Sequence, residues 1–149
     1  MAVDIRDTLN ELLVKLFRSI NTIEEQAIRT GAYRDLTVND MHVIEAIGTE
    51  DARNMTSVAK SLSVTTGTLT ISVNSIVNKS YVQRVRSEED RRVVLVSLTE
   101  KGKQAFAHHK NFHDKMIEAV IDGLNPEEGE VLRKSLGNLM EYFGSLQKK

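Results

Sequence analysis

The chain has 149 residues, of which 40% are hydrophobic and 28% charged, a composition typical of one globular domain. It contains no cysteine, which excludes disulfides, thiolate metal sites and thiol nucleophiles. No apolar run approaches the roughly 20 residues needed to cross a bilayer, and residues 1–6 lack the basic start of a signal peptide. We therefore expect a cytoplasmic protein without a membrane partner.

Charge is distributed unevenly along the chain. The formal net charge is only −1, but residues 50–103 carry nine Lys and Arg against six Asp and Glu. The flanking segments, residues 1–49 and 104–149, are net acidic. Because a local basic patch attracts phosphates whatever the total charge, the middle of the chain is where nucleic acid would bind.

The first two elements are predicted to be helices. Apolar residues spaced three and four apart predict one long amphipathic helix over residues 5–27, and Gly31 ends it. Thr37 and Asp40 have the spacing of a capping box for a second helix, which Gly48 ends.

Two shorter helical patterns follow, separated by a turn at residues 63–65. The first starts at about Thr56, an N-cap candidate, and the second runs from near Thr65 to Lys79. Two helices joined by such a short turn have the dimensions of a helix-turn-helix. The polar side chains of the second helix that can bond base edges or phosphates are Thr65, Thr66, Thr68, Thr70 and Asn74. A merely solvated face is the other interpretation, although four threonines within six residues are poor helix composition for it.

A β-hairpin is predicted next. Runs rich in β-branched residues, 82–85 and 93–98, flank a polar tip at residues 87–92. At this tip Asp90 can hold one guanidinium while another enters a narrow minor groove. The basic side chains expected to contact DNA are Arg84, Arg86, Arg91 and Arg92. A solvated turn with weak surface ion pairs is the alternative.

Two long helices complete a mainly α fold with a small two-stranded β-wing. Thr99 caps the fifth helix, and Asn125-Pro126 starts the sixth. We expect a single domain over residues 1–149, with a winged helix-turn-helix in 37–103 and dimerisation helices in 1–30 and 104–149. A homodimer would cover the apolar faces of these helices. Its two recognition helices would then lie about 34 Å apart over a pseudo-palindromic operator in double-stranded DNA.

Several of these segments carry a family resemblance. They are Thr65–Val82, Asp90-Arg91-Arg92 and Leu98-Thr99-Glu100-Lys101-Gly102. Together they resemble the MarR family of transcriptional regulators, in which the wing Arg enters the minor groove and the wing Asp supports it. Ser80 stands where the family usually has Gly. The resemblance implies a DNA-binding repressor and not an enzyme, and the chain has no Gly-rich phosphate loop or Ser nucleophile elbow.

A narrower resemblance concerns residues 40–42, 86–94 and 109–113, which are similar to the FabT branch, the MarR-type repressors of fatty-acid synthesis genes in Gram-positive bacteria. It implies long-chain acyl groups on acyl carrier protein as corepressor, with no bound cofactor. An acyl chain would need an apolar tunnel between the first, second and fifth helices. The candidate lining residues, each equally suited to an ordinary core, are Phe17, Ile20, Met41, Ile44, Phe112 and Met116.

The histidines leave a metal alternative open. His109 and His113 lie four apart on one helix face, a spacing that can chelate a metal. With His42 and either Glu24 or Glu25 they could form a zinc site, as in MarR-type repressors of zinc uptake. That branch typically adds a cysteine ligand, which this chain lacks. Hydrogen bonding without metal is the other interpretation of these histidines.

Overall fold

The computed structural model describes residues 4–147 and confirms the mainly helical fold with a β-wing. Its elements in chain order are α1 (Ile5–Thr30), α2 (Val38–Ile47), β1 (Arg53–Asn54), α3 (Met55–Ser61), α4 (Thr66–Asn78), β2 (Val82–Arg86), β3 (Val94–Leu98), α5 (Glu100–Asp122) and α6 (Pro126–Gln147). Within this part of the chain no helix is long and apolar enough to span a bilayer.

Local capping signals set most helix starts. The predicted capping box of α2 is present, since Asp40 N donates to Thr37 Oγ1 at 3.0 Å and Thr37 N donates to Asp40 Oδ2 at 3.1 Å. Thr65 caps α4 and Thr99 caps α5, each through its hydroxyl oxygen. These bonds satisfy backbone N–H groups that a first helical turn leaves unpaired.

The start of α3 differs from the prediction. Its N-cap is Asn54 and not Thr56, because Asn54 Oδ1 accepts a hydrogen bond from Ser57 N at 2.7 Å. Asn54 also ends β1, so its extended backbone suits the N-cap position. Asn and Thr are both good N-cap residues. Here the pairing of Asn54 in β1 makes Asn54 the cap and leaves Thr56 inside the helix.

The sheet has three antiparallel strands in the order β1-β3-β2. The predicted hairpin is confirmed, with Val82 opposite Leu98 and Arg86 opposite Val94. The two-residue strand β1 was not predicted, because Arg53 and Asn54 lack β-branched character and pair with β3 only through tertiary packing. Arg53 also donates to the carbonyl oxygen of Ala46, which ties β1 to α2.

One hydrophobic core holds α2, α3, α4 and the sheet together. Its buried members are Ile28, Leu36, Met41, Val43, Ile44, Ile47, Val58, Ala59, Leu69, Val73, Ile76, Tyr81, Val82, Val96, Leu98 and Ala105. The first turn of α5 packs tightly on the start of the wing, since a Cβ at Gly102 would lie 2.0 Å from the carbonyl oxygen of Tyr81. The helix-turn-helix and the wing therefore form one packed unit.

Tyr81 lies at the junction of this unit. Its hydroxyl donates to Asp35 Oδ1 at 2.7 Å, and its ring packs edge-on against Tyr33. Burial, followed by the hydrogen bond to Asp35, raises the pKa of the Tyr81 hydroxyl well above its usual value. Tyr81 thus stays protonated and connects the α1–α2 loop to the wing.

The terminal helices are packed very differently. Along α1 the only buried residues are Glu24 and Ile28, and none of the described residues of α6 is buried. Large apolar side chains remain exposed on α1, on the C-terminal part of α5 and on α6. They are Ile5, Leu9, Leu12, Val14, Leu16, Phe17, Ile23, Ile117, Val120, Ile121, Val131, Leu136, Leu139, Met140, Tyr142, Phe143 and Leu146.

Candidate nucleic-acid interface and histidine cluster

Helix α4 has one apolar face and one polar face. Leu69, Val73 and Ile76 are at most 1% exposed and pack into the core. The five side chains predicted to contact DNA from this helix are all exposed, namely Thr65, Thr66, Thr68, Thr70 and Asn74. This arrangement leaves the polar face available to a partner.

Hydrogen bonds within the helix occupy part of this polar face. The Thr70 hydroxyl donates to the carbonyl oxygen of Thr66 at 2.7 Å. Thr65 accepts the N-cap bond from Thr68 N at 3.1 Å, and its hydroxyl donates to Thr68 Oγ1 at 3.0 Å. The hydroxyl protons of Thr65 and Thr70 are therefore engaged in the protein itself, and Thr65 also has a structural role as cap.

A side-chain hydrogen bond joins the wing to α4. Arg84 Nη2, from β2, donates to Asn74 Oδ1 on α4. This bond occupies the Asn74 carboxamide oxygen, so the NH2 group is the part of the carboxamide that can donate to a partner. Two residues predicted independently as DNA contacts are thus joined.

The wing tip carries a bidentate ion pair. Arg92 Nε donates to Asp90 Oδ1 and Arg92 Nη2 donates to Asp90 Oδ2, both at 3.1 Å, while Arg92 N bonds Oδ1 at 3.0 Å. The Arg92 guanidinium and its backbone N–H lower the pKa of the Asp90 carboxyl, so this group is ionised at neutral pH. The Arg92 side chain is still 90% exposed. The pair orients a cation at the tip of the hairpin without burying it.

The other two wing arginines play different parts. Arg86 Nη1 donates to the carbonyl oxygen of Arg91 at 2.9 Å, which braces the tip from within. The Arg91 side chain is exposed at the tip. Arg86 was predicted only as a DNA contact, and its bracing role depends on the turn geometry.

A second polar cluster lies between α1, α2 and α5. In this histidine cluster, Glu24 Oε1 is 2.9 Å from His109 Nε2, 3.2 Å from His42 Nε2 and 3.8 Å from His113 Nε2. Glu24 is only 4% exposed. All four residues of the predicted alternative zinc set therefore meet, and Glu25 instead pairs with Arg29 at 3.1 Å.

Glu45 is a further member that sequence reasoning missed. Its Oε1 lies 3.2 Å from His113 Nε2 and 3.4 Å from His109 Nε2. It follows His42 by three residues on α2, a spacing that places both on one helix face and could have indicated it. The histidine cluster is hereafter Glu24, His42, Glu45, His109 and His113.

Three members of the histidine cluster have the spacing of metal ligands. One ligand atom each from Glu24, His109 and His113 lies within 4.8 Å of the others. Ligands about 2.0–2.1 Å from a tetrahedral zinc ion stand about 3.3 Å apart, and nitrogen and oxygen donors suit that ion. The same distances also suit direct hydrogen bonds between imidazole and carboxylate.

The residues predicted to line an acyl tunnel are only partly together. Met41 and Phe112 line a cavity of about 50 Å³ between α1, α2 and α5. Ile44 is fully buried in the core, Phe17 is 61% exposed on α1, and Ile20 and Met116 are half-buried. Ligand pockets typically measure about 300–1,000 Å³, so this cavity is much smaller than one for a long acyl chain.

Known proteins resemble this chain in sequence and in fold. The family described as transcriptional regulator SarA/Rot matches residues 32–108. FabT of Streptococcus pneumoniae, solved in complex with DNA, is 40% identical, with a TM-score of 0.90 over 95% of this chain and 99% of that one.

Two curated relatives are also helix-turn-helix regulators. YpoP of Bacillus subtilis is 25% identical over 95% of this chain and 92% of its own length. SarZ of Staphylococcus haemolyticus is 36% identical over 56% of this chain and 57% of its own. The prediction of a regulator and not an enzyme is confirmed, and the chain belongs to the MarR family of winged helix-turn-helix transcriptional regulators.

Proposed function

We propose that this protein is a cytoplasmic, homodimeric repressor of fatty-acid biosynthesis genes, and that long-chain acyl-acyl carrier protein is its corepressor. The observation that carries the proposal is the 40% identity to FabT along 95% of the chain. The resemblance of the segments around Asp40, the wing and His109 to the FabT branch supports the same assignment.

In this proposal DNA contacts come from α4 and the wing. Helix α4 lies in the major groove with Thr66, Thr68, Thr70 and Asn74 toward the bases, and Thr65 near the phosphates. Arg92, oriented by Asp90, enters the minor groove. Arg84, Arg86 and Arg91 lie within reach of the DNA backbone, where cations contribute affinity and salt dependence.

The terminal helices form the dimer in this proposal. Exposed apolar side chains on α1, the end of α5 and α6 support it, because a soluble monomer rarely leaves so continuous an apolar surface in water. A second copy presents the same surface, and in a two-fold dimer each protomer covers the apolar surface of its partner. The two α4 helices would then meet one operator together.

The proposed corepressor would act at the junction of α1, α2 and α5. Met41 and Phe112 already line a cavity there, and opening of the neighbouring helices must enlarge it from about 50 Å³. Phe17, Ile20, Ile44 and Met116 are proposed to line the enlarged site. Since α2 packs on α4, an acyl chain at this junction would change the position of the DNA-binding helix through α2.

The test is a binding titration on a fatty-acid-synthesis promoter from the same genome. It is run with long-chain acyl-acyl carrier protein, with the unacylated carrier, and with random duplex of equal length. Tightening by the acylated carrier alone is the expected result. Equal affinity for promoter and random DNA would contradict the repressor assignment, and indifference to acylation would contradict only the corepressor.

A second candidate function is zinc-responsive repression of metal uptake genes. The observation that favours it is the histidine cluster, which brings three imidazoles to one buried carboxylate. Zinc held there by Glu24, His42, His109 and His113 would join α1, α2 and α5 by coordinate bonds.

The same titration, repeated with zinc and with chelator, separates the two candidates. If zinc is the effector, it tightens DNA binding, chelator reverses this, and His113→Ala abolishes the response. His108→Ala is the matched control, because His108 lies on the same helix but packs edge-on against Tyr33 outside the cluster. A response to zinc that both variants retain would argue against this site.

A further inference from the structure

One residue of the recognition helix is not explained by the fold. Ile71, on α4, is 74% exposed. Other exposed apolar residues of the winged helix-turn-helix are far better covered, with Val64, Val85 and Val93 between 38% and 44% exposed. No packing reason in the described chain requires an isoleucine here, and isoleucine is a weaker helix former than alanine.

Ile71 lies at the centre of the face that α4 presents to solvent. At 100° per residue, it stands almost opposite the buried stripe of Leu69, Val73 and Ile76. Gly67 precedes Ile71 by one turn and Asn74 follows it by three residues, so the three share one surface stripe.

The fold also gives no reason for a glycine at position 67. A Cβ at this position would meet only Thr65 Oγ1, at an ordinary 3.9 Å. The fold would therefore accept alanine, which is more favourable in a helix by about 1 kcal/mol. A glycine here leaves room for something outside the chain to approach the helix next to Ile71.

The hydrogen bonds of α4 make this stripe less polar than its sequence indicates. The Thr70 hydroxyl proton is bonded to the Thr66 carbonyl at 2.7 Å. Asn74 Oδ1 is bonded to Arg84. Apolar atoms of Ile71 and Thr70 therefore make up a large part of the surface that would enter a major groove. The apolar group that a major groove presents is the thymine 5-methyl.

We propose that Ile71 is a specificity-determining residue that reads thymine through its 5-methyl group, with Gly67 allowing the close approach. This inference rests on the proposed placement of α4 in the major groove. Isoleucine and the methyl would exclude water from each other, and the preference for thymine would come from apolar contact in addition to hydrogen bonds.

The test uses a duplex that the protein itself enriches from a randomised DNA pool. Each thymine is replaced in turn by deoxyuridine, which removes only the methyl group and preserves base pairing. At a thymine that Ile71 reads, wild-type affinity falls about fourfold, the effect of one buried methyl-sized group. Ile71→Ala weakens binding to the thymine duplex by a similar or larger factor, and deoxyuridine at that position then has no further effect.

Two controls make the result decisive. Ile71→Val keeps both carbons attached to Cβ and should remain partly sensitive to deoxyuridine. Val85→Ala removes an exposed apolar side chain of the wing and should leave the sensitivity at that thymine intact. Thermal unfolding checks each variant, and Ile71→Ala should be at least as stable as wild type.

Two results would contradict this inference. If Ile71→Ala has no effect, or weakens the thymine and deoxyuridine duplexes equally at every position, Ile71 does not read thymine and the repressor assignment stands. If the wild-type protein enriches no sequence from the pool, the proposed function fails together with this inference.

Discussion

The winged helix-turn-helix and the terminal helices solve the problem of apolar surface in opposite ways. Between Thr37 and Lys103, most large aliphatic side chains are buried or half-buried, and caps and short strands fix the backbone. Along α1 and α6, by contrast, large apolar side chains face solvent and few residues are buried. The first region is specified by its own packing, whereas in the second the large apolar side chains stay uncovered within one chain.

This contrast predicts which substitutions affect folding of one chain and which affect assembly. In the winged region an added carbon can meet backbone and destabilise the protomer. At the exposed apolar positions of the terminal helices a polar substitution meets only solvent in one chain, so a large effect there must come from assembly.

A charge on α6 should separate the protomers. Met140 is 76% exposed, so Met140→Glu costs little in a single chain. In a two-fold dimer it would bury two unpaired carboxylates, at a cost of about 3–5 kcal/mol each. Sedimentation should show a monomer for this variant and a dimer for wild type. Val85→Glu, an exposed apolar position on the wing, should leave the dimer intact. A dimeric Met140→Glu protein would place the interface elsewhere.

An added methyl group at Gly102 should destabilise the winged region. The Cβ of Gly102→Ala would lie 2.0 Å from the Tyr81 carbonyl oxygen, so α5 and the start of the wing must move apart. We expect the free energy of unfolding in urea to fall by about 3 kcal/mol. Gly137→Ala on α6, with no atom within 4 Å of its Cβ, is the control and should be neutral or stabilising. Similar losses in both variants would contradict the contrast.

Removing the Arg92 side chain should affect DNA binding and not folding. Its ion pair with Asp90 is exposed and therefore contributes little to protomer stability. Arg92→Ala should weaken operator binding by about tenfold to a hundredfold with an unchanged melting temperature. Arg133→Ala removes a comparable exposed pair, with Glu130 on α6, and should leave DNA affinity as it is. If both variants bind the operator like wild type, the wing contact is absent.

These cases also indicate which features the sequence could predict. Thr37 and Thr99 were predictable as caps, because an N-cap bond depends on residues two or three positions away. The pair of Asp90 and Arg92 was predictable for the same local reason. Strand β1 was not, since its partner lies some forty residues further along the chain.

In the candidate sites, the features that the sequence did not predict also depend on tertiary packing. The four residues of the alternative zinc set were predicted from spacing and resemblance, but Glu45 joins them only because α2 packs beside α5. Hydroxyl groups such as that of Thr70 can bond either their own helix or a partner, and composition does not distinguish the two. Tunnel-lining residues depend on helix spacing to within a few ångströms, which hydrophobic periodicity does not contain.

The smallest expected effect is a gain in stability at the end of α4. Ser80 has a φ of +70°, a left-handed conformation that costs a non-glycine residue about 1 kcal/mol. Its conformation lets Tyr81 N bond the Ile76 carbonyl at 3.0 Å, which closes the helix before β2 begins. Ser80→Gly should therefore raise the free energy of unfolding by up to about 1 kcal/mol.

The control for this variant is Ser75→Gly, which lies inside α4 and should lower the free energy of unfolding by about 0.5–1 kcal/mol. Opposite signs at two serines five residues apart would indicate that backbone conformation, and not loss of the hydroxyl, governs both. Because Ser80 lies at the junction of α4 and the wing, the stabilised protein should bind the operator with unchanged or slightly higher affinity. A loss of stability in Ser80→Gly would mean that the unfolded chain gains more freedom from glycine than the folded turn gains in relief.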